Sequence, residues 1–130
     1  YNIPASTAAL LKSCRDRDGR VIAIGTTVVR ALEHAARANG TVRSGAGTAT
    51  QRIGARTWLK CVDAILSGTH EQGTSHFDLL RAFQDDDVLS RMEREADAHG
   101  YRTHEFGDSV WLANGRSRRI EQEGDLRSCA

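Results

Sequence analysis

The chain has 130 residues, of which 39% are hydrophobic and 27% charged, and its formal net charge is +1. A chain of this length can bury one hydrophobic core, so the expectation is one domain or part of one. The near-neutral charge argues against a protein that nucleic acid or a membrane holds by bulk charge alone, although it leaves room for a local basic face. Only Lys12 and Lys60 among the cationic residues are lysines, a bias that either a GC-rich genome or forked recognition of phosphate and carboxylate would explain.

Membrane, disulfide and metal patterns are missing from the sequence. No apolar run is long enough to span a bilayer, and no signal-peptide pattern is present. The three cysteines, Cys14, Cys61 and Cys129, are widely spaced and form no C-x-x-C pair, which argues against a disulfide framework and against a zinc site. We therefore expect a cytoplasmic protein that binds no metal and no membrane.

The first half of the chain predicts an alternation of helix and strand. An extended stretch over residues 2–4 precedes a helix that Ser6 or Thr7 caps. The inward residues of this helix are predicted to be Ala9, Leu10, Leu11 and Cys14. Residues 20–24 predict a short buried strand, apolar almost throughout. A helix follows, capped by Thr26 or Thr27, and it is predicted to run to about residue 39.

The second half continues the alternation with weaker patterns. Residues 48–53 alternate weakly, as in a strand, whereas residues 58–66 fit either a helix or a buried strand. Thr74 or Ser75 is placed to cap the next helix, and Ser75-x-x-Asp78 matches a capping box. The remaining predicted elements are a helix from residues 85–87 to Gly100, strands over 101–106 and 109–113, and a polar tail over 114–130.

This alternation predicts the α/β class, with a layered sheet and helices on its faces. Residues 1–113 would form the α/β domain and residues 114–130 a disordered tail. The sequence contains neither a G-x-G-x-x-G fingerprint nor a phosphate-binding G-x-x-x-x-G-K-[ST] loop, so a nucleotide-like ligand would have to be held in another way.

The turn after the first predicted strand has features of a ligand site. Gly25 permits a sharp turn, and Thr26 and Thr27 begin a helix whose unpaired backbone N–H groups favour an anionic or polar ligand. Arg30 is expected in the first turn of that helix, where a cation opposes the helix dipole. Either an acidic ligand or a nearby Asp partner would offset this unfavourable interaction with the helix dipole, and the sequence does not decide between them.

Two further positions are candidates for proton transfer or sugar binding. His70 lies in a polar loop beside Glu71, where a histidine is either solvated or poised as a general acid or base. Asp108 follows a glycine turn, where it either accepts its own backbone N–H or orients ribose hydroxyls.

Four segments resemble one enzyme family. Residues 20–33, RVIAIGTTVVRALE, resemble the RVIAVGTT-x-VR-x-LE signature of the S-adenosylmethionine:tRNA ribosyltransferase-isomerases of queuosine biosynthesis. Residues 59–66, LKCVDAIL, resemble the family's FKVVDALL. Residues 67–83 follow its TNFHLPKSTLLMLVSAF segment, with His70 on the histidine, and residues 101–108, YRTHEFGD, resemble the start of its YRFFSYGDAMLI. The resemblance extends over residues 1–113.

The resemblance implies a fold and a reaction. The chain would be the carboxyl-terminal part of an α/β domain interrupted upstream by an inserted β-barrel. The family transfers the ribosyl portion of S-adenosylmethionine to the aminomethyl group of a 7-deazaguanine in tRNA and isomerises it, giving epoxyqueuosine without a metal. S-adenosylmethionine and tRNA would thus be its partners. Because half of the cleft would be missing, we expect the chain to be inactive alone.

The matching motifs also imply site residues. His70 would be the general acid or base, Asp108 would orient the sugar, and Arg30 would pair with a methionine carboxylate or a tRNA phosphate. The other positions assigned to substrate binding within the motifs are Gly25, Thr26, Thr27, Asp63, Ser75, Phe106 and Gly107.

The loop around His70 departs from the family pattern. NFHLP is replaced by residues 68–72, GTHEQ, and the lysine of PKST is lost in residues 72–75. The sequences HE-x-x-x-SH, at residues 70–76, and HEFGD, at residues 104–108, resemble those of a divergent branch of actinobacterial homologues. Two alternatives follow, namely a non-catalytic homologue that binds tRNA or a nucleotide, and the same chemistry on a different amine acceptor.

Overall fold

The structure is a computed structural model that describes residues 1–102 and 107–115. Its first five elements alternate between strand and helix, as the sequence predicts, whereas the later ones do not. In chain order the helices and strands are β1 (Asn2–Ile3), α1 (Ala5–Arg15), β2 (Ile22–Ile24), α2 (Thr26–Ala35), β3 (Gly45–Ala46), β4 (Ala64–Gly68), α3 (Ser75–Leu80), α4 (Asp86–Ala98) and β5 (Ser109–Ala113).

The larger sheet confirms a mixed α/β fold. Its strand order is β2-β4-β5, with β2 parallel to β4 and β5 antiparallel to β4. A separate two-stranded ladder pairs β1 with β3. Because β2 and β4 are parallel, their carboxyl ends meet at one edge, where open α/β sheets generally bind ligands. The upstream β-barrel remains a prediction.

The two faces of this sheet differ in burial. Ala23, Ile65 and Leu112 are cross-strand neighbours on one face and belong to the core, in which residues of α2, α3 and α4 also pack. On the other face Ile24 is 70% exposed and Trp111 48% exposed. The prediction that residues 20–24 form a buried strand is therefore wrong, because β2 is an edge strand whose side chains alternate between a covered and an uncovered face.

The first helix begins earlier than predicted. Helix α1 starts at Ala5 with Pro4 as its N-cap residue, so neither Ser6 nor Thr7 caps it. Proline at this position holds its own φ at −59°, which suits a helix entrance without a side-chain cap. Leu10, predicted to point inward, is exposed, whereas Leu11 packs against the core.

The second helix ends four residues earlier than predicted. Helix α2 stops at Ala35 because Ala36 is extended and forms an isolated antiparallel bridge with Val42. Both residues are buried, so tertiary pairing overrides the helical pattern that continues to residue 39. Gly40, with φ of 78°, occupies the turn that reverses the chain.

The ambiguous segment before β4 is not a helix. The carboxylate of Glu33 in α2 accepts hydrogen bonds from the backbone N–H groups of Lys60, Cys61 and Val62, at 2.7, 3.0 and 2.9 Å. Glu33 is 5% exposed, so these donors are satisfied in the interior without forming a helix. Strand β4 then begins at Ala64, as the strand alternative predicts.

Other boundaries follow or depart from prediction. Residues 48–53 form no strand, since only Gly45–Ala46 pairs in this region. Helix α4 ends at Ala98, followed by His99 as the C-cap and Gly100 in the left-handed region, and β5 covers 109–113, both as predicted. Tyr101 and Arg102 are not in a strand, and the rest of the predicted strand 101–106 lies outside the described residues. Most of the predicted tail 114–130 also lies outside them.

Candidate functional site

The turn after β2 is shaped by Gly25. This residue has φ of 90° and ψ of 150°, a conformation that side chains disfavour, and it is the N-cap of α2 in place of the predicted Thr26 or Thr27. Its N–H donates to the carbonyl of Leu66 at 2.8 Å, which attaches the turn to β4. Thr26 and Thr27 are therefore the first two helical residues, the first buried and the second exposed.

The loop after β4 brings His70 to the same edge of the sheet. The hydroxyl of Ser67, still within β4, forms a hydrogen bond of 3.0 Å with Nε2 of His70. Thr69 attaches the loop to the start of β5, since its N–H donates to the carbonyl of Asp108 and its hydroxyl donates to the carbonyl of Arg102. His70 thus has its ring held at one nitrogen.

A second histidine completes this arrangement. His76, in the first turn of α3, forms a hydrogen bond of 2.8 Å between Nδ1 and the hydroxyl of Thr26. Its ring stacks on His70, with centroids 4.8 Å apart and planes inclined by 22°. Sequence reasoning did not assign His76 to the site, because a spacing of six residues between histidines matches no common motif.

These residues line a polar cleft of about 570 Å³ at the carboxyl ends of β2 and β4. The lining residues are Gly25, Thr26, Thr27, Ser67, Gly68, His70, Glu71, Thr74, His76, Gly107 and Ser109. Five of the predicted site residues meet here, namely Gly25, Thr26, Thr27, His70 and Gly107. Hydroxyls, imidazoles and the amino end of α2 give the cleft donors and acceptors for a polar ligand.

Three predicted residues lie beside the cleft without lining it. Arg30 is in the second turn of α2, one turn later than predicted, and its Nη2 donates to the carbonyl of Ser75 at 3.1 Å. Ser75 is the first residue of α3, whereas Thr74 is the N-cap and its hydroxyl accepts from the N–H of Phe77. The predicted capping box is therefore wrong, since Asp78 lies one position too late. Asp108 accepts a hydrogen bond from the N–H of Arg102.

Asp63 and Phe106 are not in this group. Asp63 precedes β4, at the opposite end of the strand from the cleft, where its carboxylate pairs with Arg15 and accepts from the N–H of Val21. This carboxylate connects α1 with the entrance to β2. Phe106 lies outside the described residues.

Two groups away from the cleft, Cys61 and Asp78, have shifted pKa values with a clear structural cause. Burial raises the pKa of the Cys61 thiol, and the neighbouring Glu33 carboxylate raises it further. The hydrogen bond from Arg52 lowers the pKa of Asp78, with Arg81 contributing in the same direction. Over residues 1–102 and 107–115, no three His, Cys, Asp or Glu side chains are grouped as metal ligands. In the same part of the chain no helix has the length and apolar character needed to cross a membrane.

The fold and cleft define a class of protein, an open α/β domain with a polar site at the carboxyl ends of parallel strands. Known proteins narrow this class. A family model described as "Queuosine biosynthesis protein" matches residues 1–112. The chain belongs to this queuosine biosynthesis family.

Individual relatives agree with the family match. The chain is 40% identical over 112 residues to the S-adenosylmethionine:tRNA ribosyltransferase-isomerase of Geobacter sulfurreducens, covering 86% of this chain and 33% of that protein. It is 34% identical over 115 residues to the protein of the same name from Gloeobacter violaceus, covering 88% and 33%. The crystal structure of the S-adenosylmethionine tRNA ribosyltransferase from Thermotoga maritima superposes with a TM-score of 0.77 at 32% identity, covering 85% of this chain and 39% of that one.

The chain spans about a third of the length of the curated relatives that it matches. These similarities do not show to which branch of the family the chain belongs, so its place in an actinobacterial-like branch remains a prediction. That this chain takes part in the activity of its complete relatives is therefore a proposal.

Proposed function

We propose that this chain contributes one side of the active site of an S-adenosylmethionine:tRNA ribosyltransferase-isomerase. The observation that carries the proposal is the meeting of two family segments in one cleft, the turn at residues 25–27 and the loop around His70. The substrates would be S-adenosylmethionine and a tRNA carrying 7-aminomethyl-7-deazaguanine, and the product would be epoxyqueuosine in tRNA. We expect this modification in the cytoplasm.

In this proposal His70 transfers the proton. Removing a proton from the acceptor amine, or delivering one to the departing adenine, needs a group that titrates near neutral pH. His70 lines the cleft and its Nε2 is 3.0 Å from the Ser67 hydroxyl, which orients the ring. Thr26 and Thr27 hold polar groups of the substrate at the amino end of α2, where the helix dipole favours negative charge.

Arg30 and Asp108 have supporting parts in the proposal. A guanidinium has five N–H donors, so the bond from Arg30 to the Ser75 carbonyl leaves it able to pair with a methionine carboxylate or a tRNA phosphate. Asp108 lies between Gly107 and Ser109, which both line the cleft, and would orient sugar hydroxyls at that end. Asp63 has no part in the proposed site because it lies at the other end of β4.

The test uses a chimera, since the chain spans a third of its relatives. Residues 1–112 of this chain replace the matching third of the Geobacter sulfurreducens enzyme, and adenine release from S-adenosylmethionine is measured with tRNA that carries the deazaguanine. We expect His70→Ala to lower the rate by about 100-fold or more. His34→Ala, in the last turn of α2 and so at the opposite end of that helix from the cleft, is the matched control and should keep the rate. Unchanged release by His70→Ala would contradict the proposal.

A second candidate is the same chemistry on a different amine acceptor. One wall of the cleft is the loop in which the family's asparagine, aromatic, proline and lysine are replaced, and Gln72 of this loop donates to Glu93 of α4. A changed wall favours a changed acceptor. Adenine release from the chimera with a free deazapurine amine, and none with the modified tRNA, would select this candidate. Binding of S-adenosylmethionine without adenine release under either condition would instead indicate a non-catalytic binder.

A further inference from the structure

His76 joins the two sides of the cleft. It is the second residue of α3, so its backbone belongs to the element that follows the loop around His70. Its Nδ1 forms a 2.8 Å hydrogen bond with the hydroxyl of Thr26, which belongs to the opposite wall. The same ring stacks on His70, with centroids 4.8 Å apart.

The hydrogen bond of His76 is made to a buried residue, Thr26. Thr26 is 6% exposed and is fixed as the first residue of α2, so its hydroxyl is a rigid anchor. Glu71, Gln72 and Gly73, between the two histidines, are exposed. A ring anchored on Thr26 therefore limits how the less rigid loop can move His70.

The bond also orients the ring, because it joins Nδ1 of His76 to a hydroxyl whose position is set by α2. His70 is constrained in the same way by the bond between its Nε2 and Ser67. Two stacked imidazoles, each held at a ring nitrogen by a hydroxyl, form a pair in which the orientation of one ring depends on the other.

We propose that His76 is a positioning residue for His70, acting through its hydrogen bond to Thr26 and its stacked ring. The ligand that this arrangement suits is one that exchanges a proton at a nitrogen, such as an amine or a purine. The role of His76 in catalysis rests on the proposed function, because it assigns His76 to the proposed site. The coupling between the His76 and His70 rings, however, is a property of the chain without ligand.

The experiment follows the imidazole nitrogens of the 15N-labelled 130-residue chain without ligand, using long-range 1H–15N correlation spectra. We expect Thr26→Val to shift the ring resonances of both His76 and His70. His76→Phe keeps an aromatic ring for stacking but removes the hydrogen bond, and it should shift His70 in the same direction. The double variant should shift His70 no further than either single variant, because both remove one interaction.

Two more variants make the test decisive. His76→Asn keeps an amide near the position of Nδ1 while removing the stacked ring, so Thr26 should keep its partner and His70 should still shift. His34→Phe, in the last turn of α2 and away from the cleft, should leave the His70 resonances unchanged. His76 is exposed, so folding should survive these substitutions, and the amide spectrum of the core checks it.

The proposal is overturned if His70 keeps its wild-type resonances in His76→Phe and His76→Asn, or if the Thr26 and His76 effects add. Failure of the proposed function would appear differently. A chimera that releases no adenine, together with an intact coupling between Thr26, His76 and His70 in the spectra, would reject the reaction and leave the positioning role of His76 in place.

Discussion

At the scale of single residues, the interior of this protein holds two polar side chains next to each other. Glu33 and Cys61 are both buried, and the thiol is 3.4 Å from a carboxylate oxygen of Glu33. The carboxylate is satisfied by three backbone N–H groups, so it stabilises the approach to β4. The thiol donates one hydrogen bond to this carboxylate, and its thiolate form is disfavoured by burial and by the adjacent negative charge.

The first prediction concerns this thiol. Because its pKa is raised, thiolate forms only at a higher pH than for an ordinary cysteine, and the folded protein shields it as well. In a Cys14→Ser, Cys129→Ser double variant, we expect alkylation of Cys61 by iodoacetamide at pH 8 to be at least roughly 100-fold slower than in urea. Mass spectrometry of timed samples measures the rate. In the matched Cys61→Ser variant, half-buried Cys14 should react faster than Cys61 in the native state, and equal native rates would contradict the prediction.

The second prediction concerns Glu33. Its replacement by glutamine puts an NH2 group at one of the two carboxylate oxygen positions, so at least one backbone N–H loses its acceptor and faces another donor. We expect Glu33→Gln to lower the free energy of unfolding by about 1–3 kcal/mol, measured by urea denaturation. Glu95→Gln on α4 is the control, because the Glu95 side chain is 70% exposed. Equal midpoints for the two variants would show that the carboxylate does not hold this segment.

At the scale of secondary-structure elements, the site depends on how two helices begin. Helix α2 starts after a glycine whose φ is positive and has no side-chain cap, whereas α3 starts after a threonine that caps it. Both starts face the cleft, since Gly25 and Thr74 are lining residues. The two entrances therefore use different physical devices, backbone freedom in one case and a side-chain acceptor in the other.

The third prediction tests the first of these entrances. No atom lies within 4 Å of a Cβ placed on Gly25, so the cost of alanine there comes from its backbone conformation alone. We expect Gly25→Ala to destabilise the chain by about 1–3 kcal/mol. Gly68→Ala has equally open surroundings with no positive φ and should cost much less. Thermal and urea unfolding of both variants provide the measurement, and a Gly25→Ala variant as stable as Gly68→Ala would refute the stated conformation.

The fourth prediction distinguishes the two candidate caps that the sequence leaves open. Thr74→Ala removes the hydroxyl that accepts from the N–H of Phe77, and we expect a loss of about 1 kcal/mol. Ser75→Ala should change stability little, because the neighbouring Thr74 makes the cap. Comparing the urea midpoints of the two variants decides the question. A larger loss for Ser75→Ala would move the start of α3 by one residue.

At the scale of the whole molecule, the larger sheet is covered on one face only within the described residues. Ile24, Leu66 and Trp111 lie opposite one another across the three strands on the other face, and Ile24 and Trp111 are exposed. Parallel strands usually have both faces buried, and contiguous exposed apolar side chains favour association. The three strands together thus form one exposed apolar surface, to which each of them contributes a side chain.

The fifth prediction follows from this face. We expect the chain to self-associate through this face, and Ile24→Lys to weaken that association by roughly 10-fold to 100-fold, since an isoleucine side chain contributes about 1.5–3 kcal/mol when buried. Sedimentation velocity over a concentration series measures the effect. Leu10→Lys on α1 is the matched control, because Leu10 is just as exposed but lies on a different element. Identical dissociation constants for the two variants would show that the sheet face is not involved.

Local sequence patterns determined the parts of this protein that depend on nearest neighbours. The 25–27 turn, the end of α4 before Gly100 and the strand 109–113 all follow from periodicity, glycine and short-range capping. The family motifs added the pairing of that turn with His70, which periodicity alone left as two unrelated polar stretches.

Only the tertiary structure decided which distant groups meet. The end of α2 depends on the bridge between Ala36 and Val42, and residues 60–62 depend on the carboxylate of Glu33. Because β2 and β4 are parallel neighbours, the 25–27 turn and His70 lie at one edge, whereas Asp63 is directed to the opposite end. His76 enters the site through a bond to Thr26, 50 residues away, which no local pattern encodes. The sequence by itself thus determined the turn at Gly25, and long-range pairing decided what faces it.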